Sequence, residues 1–286
     1  MATDRVAQPA KGTEGMHDEE RTVGSGSRFR RRFLVLGGIT GVLAVLGGAL
    51  VLWYINQPVP DEVSLESAVA DVATTESPAK DPTETTDPSA AITATTIPPD
   101  LGVEGTWIVD TTIGDFSFED ATSSFVGFRI DEELARIGAS TAVGRTPAVS
   151  GSLTLAGTEI TETVIEADLS RIVTNQSRRD RAVQRALDTA THPIATFTLS
   201  EPIQLGVIPV EGVAVSATAV GTLEIKGVTR PIEIQLETQL VGDLIVVVGA
   251  VDITFTEWGV EMPTAPGVVS VEDHGTLEIQ LFLSRG

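Results

Sequence analysis

The strongest constraint on the fold of this chain is the alternation of apolar and polar residues across residues 221–240, GTLEIKGVTRPIEIQLETQL. The second arm of this stretch places apolar residues at even positions with glutamate or glutamine between them, whereas the first arm places Leu223 and Ile225 at odd positions. An antiparallel pair keeps both apolar sets on one face across such a change only if the loop has an even number of residues. A two-residue Lys226-Gly227 turn meets that condition, because glycine tolerates the positive φ of a tight turn. The stretch therefore predicts a β-hairpin with one apolar face.

The same alternation continues through residues 104–286, in short segments separated by Gly, Pro and Asp. This spacing is typical of an all-β sandwich or barrel, and we predict an antiparallel eight-stranded barrel. The predicted strands are 107–110 running on to 118, 125–131, 146–155, 159–173, 195–201, 213–225, 231–240, 244–255 and 276–283.

One segment of this domain has helical rather than strand periodicity. Residues 177–188, SRRDRAVQRALD, group their apolar side chains on one face of a helix and their arginines around it. Ser177 is the predicted N-cap, and Pro193 prevents the helix from continuing. A single amphipathic helix in a β domain usually closes one end of the barrel or sandwich.

The interior of the domain has two interpretations. Many inward-facing residues are small, and an eight-stranded barrel can either be filled by side chains or enclose a ligand cavity. The alternative is a two-layer sandwich with a filled core, and composition does not distinguish the two. From strand parity, the predicted cavity-lining residues are Phe128, Ile165, Ala167, Leu169, Phe197, Ala217, Ala219, Leu223, Ile234, Leu236, Val247 and Phe255.

The sequence before the β domain divides into three parts. Residues 1–32 are polar and predict a disordered cytoplasmic tail that ends in an arginine cluster. Residues 33–55 contain no charge and are long enough to cross a bilayer, so they predict a single uncleaved transmembrane helix rather than a cleaved signal. The arginines orient the β domain, 104–286, to the extracytoplasmic side. Residues 56–103 are rich in proline, threonine and acids, which predicts a disordered linker.

Glycines recur in the predicted transmembrane helix, and Gly37 and Gly41 have the GxxxG spacing that brings two helices close together. This spacing would allow a homodimer, although glycine is also common in membrane helices in general.

Charge and residue content exclude several functional classes. The formal net charge is -21, and the residues after the arginine cluster are strongly acidic, which argues against a nucleic-acid partner. The chain has no cysteine, and its three histidines do not occur in any catalytic or metal-binding motif. We therefore predict no catalytic residues, no metal site and no cofactor.

Two motifs carry a resemblance to a known family. The hairpin GTLEIKGVTRP at 221–231 closely resembles a signature of the YceI-like family of polyisoprenoid-binding proteins. The region that follows residue 178 resembles that family's helix-containing signature. Further matching segments occur in the same order, and the likeness covers residues 104–286. The residues that carry it outside the hairpin are Arg179-Asp180, Leu187-Asp188, His192-Pro193, Thr196-Phe197, Trp107–Asp110, Ser124–Phe128 and Phe255–Val260.

This resemblance implies a lipocalin-like antiparallel barrel that encloses an isoprenoid or other amphiphilic lipid without catalysis. Combined with the predicted anchor, it leads us to expect a protein of the cell membrane that sequesters or carries a quinone or polyprenyl chain. The alternative is a cell-surface interaction module with a filled core.

Overall fold

The computed structural model describes residues 59–75, 102–135, 138–263 and 268–286, all of which belong to one compact unit, Gln57–Gly286. The predicted tail 1–32 and transmembrane helix 33–55 lie outside these ranges, as do residues 56–58 and 76–101 of the predicted linker. Within the described ranges, no helix has the length and apolar content that crossing a membrane would require.

The described chain contains two α-helices, two short 3-10 helices and twelve strands. The helices are α1 (Leu65–Thr75), α2 (Ser177–Ala186) and the 3-10 turns Leu169–Arg171 and Phe255–Trp258. The strands are β1 (Gly105–Val109), β2 (Phe125–Leu134), β3 (Gly138–Thr146), β4 (Val149–Ala156), β5 (Glu159–Asp168), β6 (Val173–Thr174), β7 (Ile194–Leu199), β8 (Ile203–Gln204), β9 (Ala214–Ile225), β10 (Val228–Val241), β11 (Leu244–Thr254) and β12 (Val268–Arg285).

The sheet closes on itself through its first and last strands. Strands β4, β5, β7, β9, β10, β11 and β12 follow β1 around the barrel, and β12 then pairs with β1 through the register Trp107↔Arg285. All these pairings are antiparallel. The predicted eight-stranded antiparallel barrel is confirmed, and β2, β3 and β6 extend the sheet from β12 beyond the short β1.

The predicted hairpin is present as β9 and β10, joined by a two-residue turn. Lys226 and Gly227 have φ values of 53° and 73°, and Ile225 pairs with Val228. Ile234 pairs with Ala219, so the odd-numbered set of β9 and the even-numbered set of β10 share the inner face.

The structure corrects several predicted strand limits. Residues 110–118 are not strand, because β1 ends at Val109. Residues 138–146 form β3, which the sequence did not predict because its small residues show no clear alternation. Pro147 separates β3 from β4 where one strand was predicted, and β5 ends at Asp168 in a 3-10 turn where the prediction continued to 173.

Helix α2 lies where it was predicted, with a different start. Gln176 is the N-cap residue and makes no side-chain capping hydrogen bond, so the prediction of Ser177 as N-cap was wrong. Instead, the Asp180 carboxylate accepts hydrogen bonds from the backbone N–H and hydroxyl of Thr174, at 2.7 and 2.8 Å. These bonds fix the first turn of α2 to β6.

Part of the predicted disordered linker is folded. Residues 59–75, which we call the N-terminal strap, cross the outside of the barrel and end in helix α1. Leu65, Ala68 and Val72 of α1 pack on Val246 and Phe282 of the barrel's outer surface, and all five side chains are buried. The linker prediction was wrong for this segment, because its apolar residues have helical spacing that the surrounding proline-rich, acidic composition obscured.

A buried ion cluster holds the start of the strap. Glu278 lies on the outer face of β12, where its Oε1 accepts a hydrogen bond from Arg129 Nε at 2.6 Å and its Oε2 lies 3.5 Å from Arg145 Nη2. Arg129 also donates to the carbonyl of Pro60, and Arg145 donates to the carbonyl of Asp61 at 2.7 Å. The strap is thus bonded to a charge triad beneath it.

Candidate functional site

The barrel encloses a cavity of about 190 Å³. A single water molecule needs roughly 10–15 Å³ of such space, so this cavity is far larger than a packing defect. Its wall is apolar except at Gly127, Thr163, Thr238, Gln239 and Glu278. The interior of the barrel is therefore hollow rather than filled.

All twelve residues predicted from strand parity lie on the cavity wall. Parity identified eight of them because β5, β9, β10 and β11 are regular, so that alternate residues face one side. The other four lie on β2 (Phe128), on β7 (Phe197) and in the two 3-10 turns (Leu169 and Phe255). Their contact with a ligand stays a prediction.

Inward-facing side chains keep accessible surface although strands enclose them. Phe128, Ile165 and Leu236 are partly exposed, whereas Val246 and Phe282 on the outer face are completely buried under the strap. Accessible apolar surface therefore remains inside the barrel, where a ligand could cover it.

Parity did not identify the wall residues from the barrel's less regular strands. Leu153 and Leu155 come from β4, whose limits were predicted poorly, and Leu277, Leu281 and Leu283 come from β12. The β12 residues belong to an alternating set that was already visible in the sequence, so the same reasoning could have included them.

Two glycines allow aromatic rings to lie along the wall. A Cβ at Gly144 would come within 2.4 Å of the Phe128 ring, and one at Gly221 would come within 2.6 Å of the Phe197 ring. Each ring lies over a glycine of the neighbouring strand, close to the backbone, which leaves the centre of the barrel open.

The cavity is closed at the end of the barrel where α2 lies. Leu169, Ile172 and Leu187 are buried there and line the cavity, and Leu187 directly follows α2. Phe255 packs edge-on against Phe128, with ring centroids 6.4 Å apart. The predicted role of the helix in closing one end agrees with this arrangement.

The opposite end reaches solvent. Among the described lining residues, Val213 alone is exposed, with 52% of its surface accessible. It lies beside Thr238 and Gln239 of β10, which are wall residues with polar side chains. Thr163, by contrast, donates its hydroxyl to the carbonyl of Glu162, and the Glu278 carboxylate is engaged on the outer face. The polar groups still available to the cavity are thus at its mouth.

Comparison with known proteins identifies the family to which this barrel belongs. The model of the YceI-like domain matches residues 119–283, more than half of the chain. This chain belongs to the YceI-like family. No curated protein sequence matches it. The YceI-like domain also includes β1, which precedes the matched residues and closes the barrel.

Three solved structures resemble the YceI-like domain. A polyisoprenoid binding domain from Saccharophagus degradans, implicated in plant cell wall breakdown, is 19% identical with a TM-score of 0.50, over 64% of this chain and 99% of that one. BcnA of Burkholderia cenocepacia is 16% identical with a TM-score of 0.44, over 55% and 95%. The YceI protein of Campylobacter jejuni is 18% identical with a TM-score of 0.42, over 50% and 84%. At these identities the likeness shows the fold alone.

The histidines of the YceI-like domain lie away from the cavity wall. His192 packs over Gly227 in the hairpin turn, and a Cβ added at Gly227 would lie 2.8 Å from the His192 ring. His274 is exposed, and its Nδ1 lies 3.9 Å from Glu272 Oε2. Among the described residues, no three histidine or carboxylate side chains come together as metal ligands would.

A second buried ion pair joins α2 to the barrel of this YceI-like protein. Arg179 donates hydrogen bonds to the carboxylate of Glu132 on β2 and, at 2.5 Å, to Asn175 Oδ1. Burial raises the pKa of Glu132, and the attraction of Arg179 acts in the opposite direction without cancelling it.

This raised pKa predicts a pH-dependent stability. In the interval between the ordinary and the raised pKa, the folded state binds the Glu132 proton more tightly than the unfolded chain does, so this group's contribution to stability falls as pH rises. We expect Glu132→Gln to remove that fall, as measured by urea unfolding at intervals between about pH 4 and about pH 7. Glu133→Gln, on the exposed neighbouring residue, controls for the loss of one carboxyl. A slope unchanged by Glu132→Gln would contradict the assignment.

Proposed function

We propose that this chain is a membrane-anchored, extracytoplasmic lipid-binding protein that sequesters or carries an isoprenoid, such as a quinone or polyprenyl chain, without catalysis or a cofactor. The observation that supports this best is the hollow interior, whose wall is largely apolar and whose polar residues Thr238 and Gln239 lie at the mouth. A solved structure with the same fold is described as a polyisoprenoid binding domain, in agreement with this ligand class.

The energetics of such a site favour a long hydrocarbon chain. Each buried CH₂ group contributes roughly 0.8 kcal/mol, so the chain needs few polar contacts inside the barrel. Thr238 and Gln239, polar wall residues at the mouth, would hydrogen-bond the polar head of such a ligand. The length and bore of the cavity would then select the ligand.

The anchor and the orientation of the barrel rest on residues 1–55. The uncharged segment 33–55 would hold the barrel near the membrane that supplies its ligand, and the preceding arginines would keep the N-terminus cytoplasmic. A homodimer through the glycine spacing in that segment is a further prediction. The alternative, an interaction module with a filled core, needs an interior without a cavity.

The proposal is tested by extracting bound lipid from the fragment 57–286. This fragment contains the strap, every strand and both apolar clusters of the described chain, whereas a fragment starting at 104 would lack the strap. We expect organic extraction and mass spectrometry to detect an isoprenoid, or the emptied fragment to take up a prenyl quinone. A folded fragment that neither carries nor takes up such a chain would overturn the proposal.

A further inference from the structure

The connection between β8 and β9 carries a concentrated exposed apolar surface. We call residues 205–213, LGVIPVEGV, the rim loop. Of the ten large apolar residues exposed in the described chain, four lie within seven consecutive positions of this loop, at 51–59% exposure: Val207, Ile208, Val210 and Val213. Isolated exposed apolar side chains are ordinary, but such a cluster usually marks a site of interaction.

The rim loop is continuous with the cavity. Leu205 is buried at one end of the loop and lines the cavity, Pro209 lines it from the middle, and Val213 lines it while also facing solvent. Apolar residues of the loop therefore continue the cavity wall from the interior of the barrel, past its mouth, to the outside.

The two ends of the rim loop are hydrogen-bonded to the barrel. The Leu205 N–H donates to the Thr158 carbonyl and the Gly212 N–H to the Leu240 carbonyl, both at 2.9 Å. The carboxylate of Glu211, which is the only charged group of the loop, accepts a hydrogen bond from the Gly242 N–H at 3.0 Å. The single charge is thus bonded back toward the β10–β11 turn, and the exposed tip of the loop presents aliphatic groups.

We propose that the rim loop inserts into the acyl-chain boundary of a lipid bilayer, so that an apolar ligand passes between the bilayer and the cavity without crossing water. This inference rests on the proposed function and adds where and how the ligand enters. The partner is a bilayer because the exposed surface continues into the lipid cavity, and aliphatic side chains without polar recognition groups match hydrocarbon. The loop contains no basic residue and the chain is acidic, so zwitterionic lipid is preferred over anionic lipid.

The test exploits the absence of cysteine from the natural chain. Ile208→Cys is introduced into the full chain, labelled with an environment-sensitive fluorophore and reconstituted in phosphatidylcholine vesicles whose acyl chains carry a nitroxide quencher. Val164→Cys, which is 43% exposed on the side of the barrel, is the matched control. We expect the probe at 208 to shift to shorter wavelength and to be quenched several-fold more than the probe at 164.

A second variant ties the signal to the aliphatic surface. Adding Val207→Ser and Val210→Ser to the labelled Ile208→Cys chain should lower the inserted population by about tenfold, because two side chains lose most of their gain on leaving water. Equal quenching at 208 and 164, or no effect of the serine substitutions, would overturn the proposal. A spectral shift at 208 that grows with protein concentration without vesicles would assign the loop to self-association instead, and would also overturn it.

The result is independent of the lipid-extraction experiment. Insertion at 208 in a chain that never carries a lipid would refute the proposed function and leave a membrane-contacting loop. Bound isoprenoid in a chain whose loop stays in water would refute only the entry route.

Discussion

Replacing Glu278 with alanine should lower the free energy of unfolding by about 3–5 kcal/mol, the usual cost of removing one partner from a buried ion pair. Its side chain is 1% exposed, and the arginine side chains beside it, Arg129 and Arg145, are 12% and 5% exposed. Burial already lowers the pKa of Arg145, an effect that Glu278 opposes. Without Glu278, two guanidinium groups would stay buried with carbonyl oxygens, one aromatic ring and the more distant Asp61 carboxylate as partners.

The matched control is Glu257→Ala, which removes a carboxylate from a salt bridge of similar length at the surface. Glu257 and Arg230 are 52% and 43% exposed and their charged atoms are 3.5 Å apart, so the loss should stay within about 1 kcal/mol. Urea unfolding of the fragment 57–286 and its two variants measures both losses. Similar losses for Glu278→Ala and Glu257→Ala would show that the triad does not hold the strap.

Substituting Ala217 with tryptophan should abolish ligand uptake and leave the barrel folded. Ala217 lines the cavity beside Leu236, its partner on the neighbouring strand, so an indole ring there would occupy space that the proposed ligand needs. In a hollow barrel the ring meets no close-packed side chains, and stability should change by less than about 1 kcal/mol, whereas a filled core would lose roughly 1–3 kcal/mol or more.

The control for this substitution is Thr218→Trp, one residue further along β9. Thr218 is exposed on the outer face, where its hydroxyl donates to Gln235 Oε1, so the same bulk would stay outside the barrel. Uptake of a prenyl quinone and the urea midpoint are measured for both variants. Equal uptake by Ala217→Trp and Thr218→Trp would place the ligand elsewhere.

The β-barrel and its lining could be predicted because both depend on a local pattern. Alternation along β9 and β10 sets the direction of every side chain, and the Lys226-Gly227 turn fixes the register between them. Once one inward-facing residue is known, every second residue along the strand is predicted to face inward, which identifies Ala217 and Leu236. The small size of the inward residues was compatible with a hollow interior but did not distinguish it from a filled core, because a void depends on packing across the barrel, which a one-dimensional pattern does not contain.

The strap and its ion triad could not be predicted for the same reason. Glu278 alternates with Leu277 and Ile279 and therefore looks like an ordinary solvent-facing residue of β12. Its burial arises because residues more than two hundred positions earlier cross over it, as the Val63 N–H to Glu278 hydrogen bond shows. The rim loop was not predicted because residues 202–212 lie between two predicted strands and have no periodicity of their own.

The pairing of β1 with β12 has a consequence for how this protein is made. These strands are almost the whole length of the domain apart in sequence, and their contact joins residues 107–109 to residues 283–285. During synthesis the barrel stays open until residues 283–285 have left the ribosome, and until then the edge of β1 that does not face β4 has no partner. A domain that lacked residues 283–285 would keep that edge of β1 free to pair with a strand of another chain.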